Sequence, residues 1–180
     1  VADASAGGFS DLPGESLDTA LSGFFNRERQ RSVNFSDIPK DNMPFDILLL
    51  SVCSLSWDDL RYTGLHEHPL FKDLDIVMSN FSSAASYSGP AAIRLFRASC
   101  GQSSHRELYT QASKQCYLFD NLKQLGYDRQ WVMNHDGNFD KFAEVVKREG
   151  AFSQPPMSLK NVKVAQHSFD ETPIYSDIDT

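Results

Sequence analysis

The sequence predicts an α/β domain in which a mainly parallel sheet is flanked by helices. Apolar runs of strand length alternate with segments of about 11 residues whose apolar side chains recur at helical spacing. This alternation is typical of strands joined by helical crossovers, which bring neighbouring strands into parallel alignment. The 180 residues suit one domain, and a hydrophobic content of 41% is enough to form a core.

A leading helix is expected at residues 16–31. Its apolar residues fall on one helical face, and a charged cluster closes the segment. The residues on that face are Leu17, Leu21 and Phe24 or Phe25. We therefore expect this helix to pack on the surface of the domain.

The strand candidates follow the leading helix. The clearest is 45–52, a continuous apolar run of the kind found in strands covered on both faces. The others are 74–81, 129–134 and, within a polar tail, 162–165. In parallel sheets the chemistry gathers beyond the carboxyl ends of the strands, and Cys53 directly follows the first of these segments.

Helices are expected between the strand candidates. Ser56 is a candidate N-cap for a short helix whose first turn carries Asp58 and Asp59, where acids interact favourably with the helix dipole. One of these acids could instead form a hydrogen bond near a metal. Three longer helices, each followed closely by a glycine, are expected at 89–99, 115–125 and 139–149.

The overall charge excludes one class of partner. Asp and Glu number 24 against 17 Lys and Arg, and a net charge of −7 argues against a nucleic-acid-binding protein. No apolar run approaches the roughly 20 residues that a transmembrane helix requires. Residues 1–8 resemble the end of a linker, so we expect the chain to belong to a larger protein.

Ser88 lies immediately before Gly89-Pro90 and the helix that they open. Its hydroxyl can cap the helix, or it can act as a nucleophile, because free backbone N–H groups there would stabilise an attached phosphate. A serine hydroxyl needs activation, which zinc can provide. Zinc accepts thiolate ligands, so Cys53 is a candidate ligand; alternatively it is a buried cysteine that acts as a small hydrophobe.

The remaining cysteines and histidines leave alternatives open. Cys100 and Cys116 either form a disulfide, which would require an oxidising compartment, or remain reduced thiols at helix ends. His66 and His68 are either a metal-binding pair or solvated loop residues. His135 follows a strand candidate, so it either faces a pocket or belongs to a turn.

Four stretches carry a more specific signal: "FDILLLSVCSLSWDDL", "SYSGPAAIRLFRASCGQSSH", "CYLFDNLKQLGYD" and "NHDGNF". Through them the chain resembles, from residue 45 onward, the bacterial cellulose phosphoethanolamine transferases of the alkaline phosphatase superfamily. The resemblance implies that 45–180 is the first half of an alkaline-phosphatase-like catalytic domain, incomplete at its C-terminal side. Residues 1–44 would then be a linker with the leading helix.

The resemblance also implies roles for individual residues. Cys53 and Ser88 match zinc ligands, and Ser88 also matches the nucleophile. Tyr87 matches the family's "SYSGP" pattern and would line the donor pocket. Cys100 and Cys116 match a disulfide-bonded pair.

The implied reaction transfers phosphoethanolamine from phosphatidylethanolamine to a 6-hydroxyl of cellulose through a covalent Ser88 intermediate. The family's other zinc ligands come from a Pro-Glu-His-Gly-type segment that this sequence lacks. We therefore expect zinc binding by this chain to be weak or absent, and the fragment alone to be inactive.

The resemblance places the chain in a periplasmic domain of an inner-membrane protein. Its membrane segments would lie outside this chain, its partner would be a cellulose synthase complex, and its context would be biofilm formation. Two alternatives remain open: a phosphate-ester hydrolase of the same superfamily, and a non-catalytic docking module of the synthase complex.

Overall fold

The computed structural model describes residues 16–39, 45–52 and 55–176. In these ranges the α-helices are α1 (Leu17–Glu28), α2 (Trp57–Tyr62), α3 (Ser88–Phe96), α4 (Leu118–Gln124) and α5 (Phe142–Glu149), and the strands are β1 (Val164–His167) and β2 (Pro173–Tyr175). Short 3₁₀ turns occur at Leu65–Glu67, Pro69–Lys72, Lys114–Cys116 and Phe139–Lys141. None of the helices in the described ranges has the length and apolar character needed to cross a membrane.

The expected helices are confirmed, and local capping explains where two of them begin. The hydroxyl of Ser16 accepts a hydrogen bond from the backbone N–H of Thr19 at the start of α1. At α2, the predicted Ser56 cap is confirmed, and Asp59 completes it as a reciprocal capping box. These bonds satisfy backbone N–H groups that have no partner within the helix.

The core lies between α3 and α5 and is largely aromatic. Its buried members are Phe96, Trp131, Val146 and Phe152, and they are flanked by Ala92, Phe119, Met133 and Phe142. Phe152 stacks on Trp131 with ring centroids 5.4 Å apart. Burying large aromatic side chains supplies much of the driving force for such a small core.

The two core helices run in the same direction. Arg97, the C-cap of α3, donates from Nε to Oε2 of Glu149, the last residue of α5, over 2.8 Å. The helices also pack along each other through the core. Since their C-terminal ends are joined, their first residues, Ser88 and Phe142, lie together at the opposite end of the pair.

The leading helix docks on this core through the segment around the cysteine at position 100. Ser32 and Cys100 form an isolated antiparallel bridge. The carboxylate of Glu28 accepts the backbone N–H of Gln102 at 2.7 Å. A Cβ at Gly101 would collide with the carbonyl of Glu28, so only glycine allows this close approach. These contacts hold the C-terminal end of the leading helix, whereas Leu17 and Leu21 on its expected packing face are 66% and 37% exposed.

The expected mainly parallel sheet is not confirmed. The described residues form only a two-stranded antiparallel sheet, in which Val164 pairs with Tyr175 and His167 with Pro173. The strand expected near 162–165 corresponds to β1, which begins two residues later and ends at His167. The described part of the chain therefore combines helices with a small antiparallel sheet and does not show the layered α/β structure expected.

The other strand candidates, 45–52, 74–81 and 129–134, are irregular. Leu48, Leu50 and Ile76 are 90%, 75% and 75% exposed, so this apolar surface has no cover among the described residues. The 45–52 segment makes no backbone hydrogen bond to another described residue. A strand requires a ladder of hydrogen bonds to a neighbour. Segment 129–134 makes only isolated bonds, in which the carbonyls of Trp131 and Asn134 accept from Met157 and Tyr175, and 74–81 makes no backbone–backbone bond to another described residue.

Candidate functional site

Ser88 is the first residue of α3, and Tyr87 occupies the N-cap position. Ser88 is therefore not the N-cap, because the helix begins one residue earlier than predicted, and no side chain caps it. The half-buried Ser88 makes no side-chain hydrogen bond to a described residue. Its hydroxyl is available for chemistry.

The backbone around Ser88 is also open to a ligand. The N–H groups of Ser88 and Gly89 have no acceptor among the residues described, and Pro90 has no N–H to offer. A Cβ added at Gly89 would meet no atom within 4 Å. Free N–H groups at a helix start bind anionic oxygen atoms, so this turn can receive a phosphoryl group.

Tyr87 precedes the helix in an extended conformation, and 74% of the residue is exposed. It is adjacent to Ser88 in sequence, so its ring is available to a ligand that reaches the serine. Its predicted role in lining a donor pocket stays a prediction.

Cys53, the other predicted zinc ligand, lies outside the described residues. Within the ranges 16–39, 45–52 and 55–176, no group of three His, Cys, Asp or Glu side chains is arranged to hold a metal ion. The Cys53 and Ser88 pairing stays a prediction.

Cys100 and Cys116 form a disulfide, with their Cα atoms 4.9 Å apart. This bond confirms the pairing that the family resemblance implies. It links the residue that bridges to Ser32 with the 3₁₀ turn that precedes α4. The disulfide therefore holds together the segments that follow α3 and precede α4.

The first histidine pair and the acids of α2 have ordinary structural surroundings. His68 accepts the backbone N–H of Leu70 at Nδ1, over 3.2 Å, and so caps a 3₁₀ turn. His66 lies 3.9 Å from Glu67. Asp58 pairs with Arg61 at 3.0 Å, and hydrogen bonds from Ser56 hold the pKa of the Asp59 carboxyl below its usual range. These contacts agree with the solvated-loop and first-turn interpretations.

His135 differs from the other histidines because it is half-buried. Its Nδ1 accepts the backbone N–H of Gly137 over 2.9 Å, which makes it part of a turn. The ring lies 5.3 Å from that of Phe139 and 6.2 Å from that of Phe142, measured between centroids. Burial lowers the pKa of the imidazole, while the charge of Asp136 opposes that shift. These contacts favour a neutral imidazole.

Comparison with known proteins places the chain among bacterial cellulose biosynthesis proteins. A family model described as "Cellulose biosynthesis protein BcsG C-terminal domain" matches residues 4–180. The chain belongs to this family. A relative from Escherichia coli (strain K12), named "Cellulose biosynthesis protein BcsG", is 46% identical over 162 residues, which cover 89% of this chain and 29% of the relative.

The protein of the same name from Salmonella typhimurium (strain LT2) is 44% identical over 163 residues, covering 90% of this chain and 29% of its own length. The chain therefore spans less than a third of these curated relatives. Its family and its connection with cellulose biosynthesis are established, whereas the activity of the whole protein is a matter for proposal.

Proposed function

We propose that the chain is part of a phosphoethanolamine transferase that modifies cellulose, with Ser88 as the nucleophile. The observation that carries the proposal is the position of Ser88 at the start of α3, where its hydroxyl and the N–H groups of Ser88 and Gly89 have no partner among the described residues. Membership of a cellulose biosynthesis family supports cellulose as the acceptor.

The reaction has two balanced steps. In the first, Ser88 Oγ forms a bond to the phosphorus of phosphatidylethanolamine, the bond to the diacylglycerol oxygen breaks, and the serine proton passes to that oxygen. In the second, the oxygen of a cellulose 6-hydroxyl forms a bond to the same phosphorus, the bond between phosphorus and Ser88 Oγ breaks, and the proton of the 6-hydroxyl passes to Ser88 Oγ. In both steps the backbone N–H groups at the start of α3 stabilise negative charge on the phosphoryl oxygens.

Zinc fits the chemistry of the predicted donors, a thiolate from Cys53 and an oxygen from Ser88. When bound, it would lower the pKa of a coordinated hydroxyl and oppose charge on the phosphoryl group. The described residues do not supply a complete set of ligands, so the full site would need Cys53 and ligands from the longer protein. We further propose that the domain lies in the periplasm, where its disulfide is stable.

The test is Ser88→Ala in the full-length protein, with Ser86→Ala as the matched control. Ser86 lies two residues away, is exposed, and is not part of α3. Ser88→Ala should abolish transfer from a phosphoethanolamine donor to a glucan, because the covalent intermediate is lost. Both variants should melt within a few degrees of the wild type, since neither hydroxyl bonds to a described residue.

Mass spectrometry of the protein treated with an aryl ester of phosphoethanolamine should find the adduct on Ser88 alone. An adduct on Ser86, or near-normal transfer by Ser88→Ala, would contradict the assignment. Release of phosphoethanolamine to water with no transfer to glucan would favour a hydrolase. Absence of any adduct and any turnover in the zinc-loaded full-length protein would favour a docking module.

A further inference from the structure

We propose that His135 is a further residue of the Ser88 site, where its Nε2–H donates a hydrogen bond to an oxygen of the bound phosphoryl group. This inference rests on the proposed function and adds a specific binding residue to it. It is carried by where His135 lies relative to α3, and by the hydrogen bond that fixes its tautomer.

The helix pair brings His135 to the same end of the molecule as Ser88. Arg97 and Glu149 join the C-terminal ends of α3 and α5, so the helices start at the same end. Phe142 is the first residue of α5, and its ring contacts that of His135. His135 therefore lies beside the start of α5, on the side where Ser88 begins α3.

The loop that carries His135 is firmly held. The carbonyl of Asn134 accepts the N–H of Tyr175 over 2.8 Å, and the carbonyl of Gly137 accepts the N–H of Ala143 over 2.9 Å. One bond ties the loop to β2 and the other ties it to α5. These bonds position the imidazole before any ligand arrives, so little conformational entropy is lost when a ligand binds.

The tautomer of His135 follows from its contact with Gly137. Because Nδ1 accepts that N–H, the proton of the neutral imidazole resides on Nε2. Nε2 has no hydrogen-bond partner among the described residues. It is not one of the buried side-chain atoms that lack a partner in that part of the chain, so solvent reaches it. The ring therefore presents one accessible N–H donor, and a phosphoryl oxygen is a suitable acceptor.

The experiment compares two substitutions in the full-length protein. His135→Asn keeps an acceptor for the Gly137 N–H but removes the donor at Nε2. His135→Gln keeps an N–H donor near the position of Nε2. Binding of phosphoethanolamine, measured by calorimetry, should weaken roughly ten- to hundredfold in His135→Asn, the loss expected for one hydrogen bond to a charged group. His135→Gln should retain most of the wild-type affinity for phosphoethanolamine.

A second measurement needs no substitution. In wild-type protein labelled with ¹⁵N at histidine, the Nε2 resonance of His135 should shift as phosphoethanolamine is added, while those of His66 and His68 should not. Equal binding by wild type and His135→Asn, an unmoved Nε2 resonance, or no binding of phosphoethanolamine by the wild type would each overturn the inference. Failure of an adduct to form on Ser88, with His135-dependent binding intact, would instead refute the proposed reaction.

Discussion

Arg97 and Glu149 form a buried ion pair that fastens the C-terminal end of α3 to that of α5. The Nε–Oε2 distance is 2.8 Å, and the side chains are only 10% and 2% exposed. Arg97 also donates from Nη1 to the carbonyl of Leu108, and Arg148 donates to the second oxygen of Glu149. Because every member has a partner, the network specifies how the two helices align.

Glu149→Ala should destabilise the fold by about 3–5 kcal/mol, because it leaves the Arg97 guanidinium buried without its counter-ion. Arg148→Ala is the control: its side chain is 61% exposed, and it should cost no more than about 1 kcal/mol. Urea unfolding of both variants measures the difference. Equal losses would show that the pair is not responsible for helix alignment.

Reduction of the Cys100–Cys116 disulfide should lower the free energy of unfolding by about 3 kcal/mol, given a sequence separation of 16 residues. Denaturant titration with and without reductant measures this change. In the folded, unreduced protein without zinc, an alkylating reagent should modify Cys53 alone. Labelling of all three cysteines under those conditions would be incompatible with the disulfide.

Gly101→Ala should destabilise the fold by about 1–3 kcal/mol, because the added Cβ would overlap the backbone carbonyl of Glu28. Gly23→Ala offers the opposite case. Gly23 lies within α1, and its nearest neighbour is the flexible end of Arg27 at 3.5 Å. Alanine there should stabilise the helix by roughly 0.5–1 kcal/mol. Melting temperatures that shift in the same direction would disprove the close-packing argument.

Glu28 should make the stability of the fold sensitive to acid. The N–H of Gln102 and the guanidinium of Arg31 hold the pKa of this carboxyl below its ordinary value of 4.5. Below that pH the unfolded chain binds more protons than the folded one. The stabilisation of the fold by the Glu28 carboxylate is thus present above pH 4.5, and it is lost as the pH falls through the lower pKa of Glu28 in the folded state.

Glu28→Gln should therefore flatten the acid side of a stability–pH profile measured by urea unfolding. Glu144→Gln is the control, because Glu144 is exposed and bonds to no described side chain. An unchanged acid slope in Glu28→Gln would argue against the coupling.

Sequence reasoning located the helices well because their signals are local. The Ser56 cap, the buried Phe96 of α3 and the Gly150 stop of α5 are all found in the structure. Ser99 is buried as well, but it lies beyond the end of α3 at Phe96. The α5 segment differs in one respect: Asp140 and Lys141 have positive φ, so Phe139 belongs to a 3₁₀ turn before the helix. Spacing alone cannot reveal such a break, because Phe139 and Phe142 remain at a helical interval.

The strands could not be located equally well, because pairing depends on residues distant in sequence. The apolar character of 45–52 signals burial but does not identify a partner, and no described residue supplies one. The roles assigned to Cys53, Tyr87 and Ser88 depend on the family resemblance more than on residue spacing. The interpretation of His135 as a turn residue is correct, but its contact with α5 depends on helix packing that sequence spacing does not encode.

The stack of Trp131 on Phe152 gives this fold a built-in optical reporter. The chain has two tryptophans, and Trp131 is only 9% exposed while Trp57 is half-buried. In a Trp57→Phe background, fluorescence emission would come from a single indole inside the cluster that α3 and α5 share. A red shift of that emission on unfolding would report when the two helices separate.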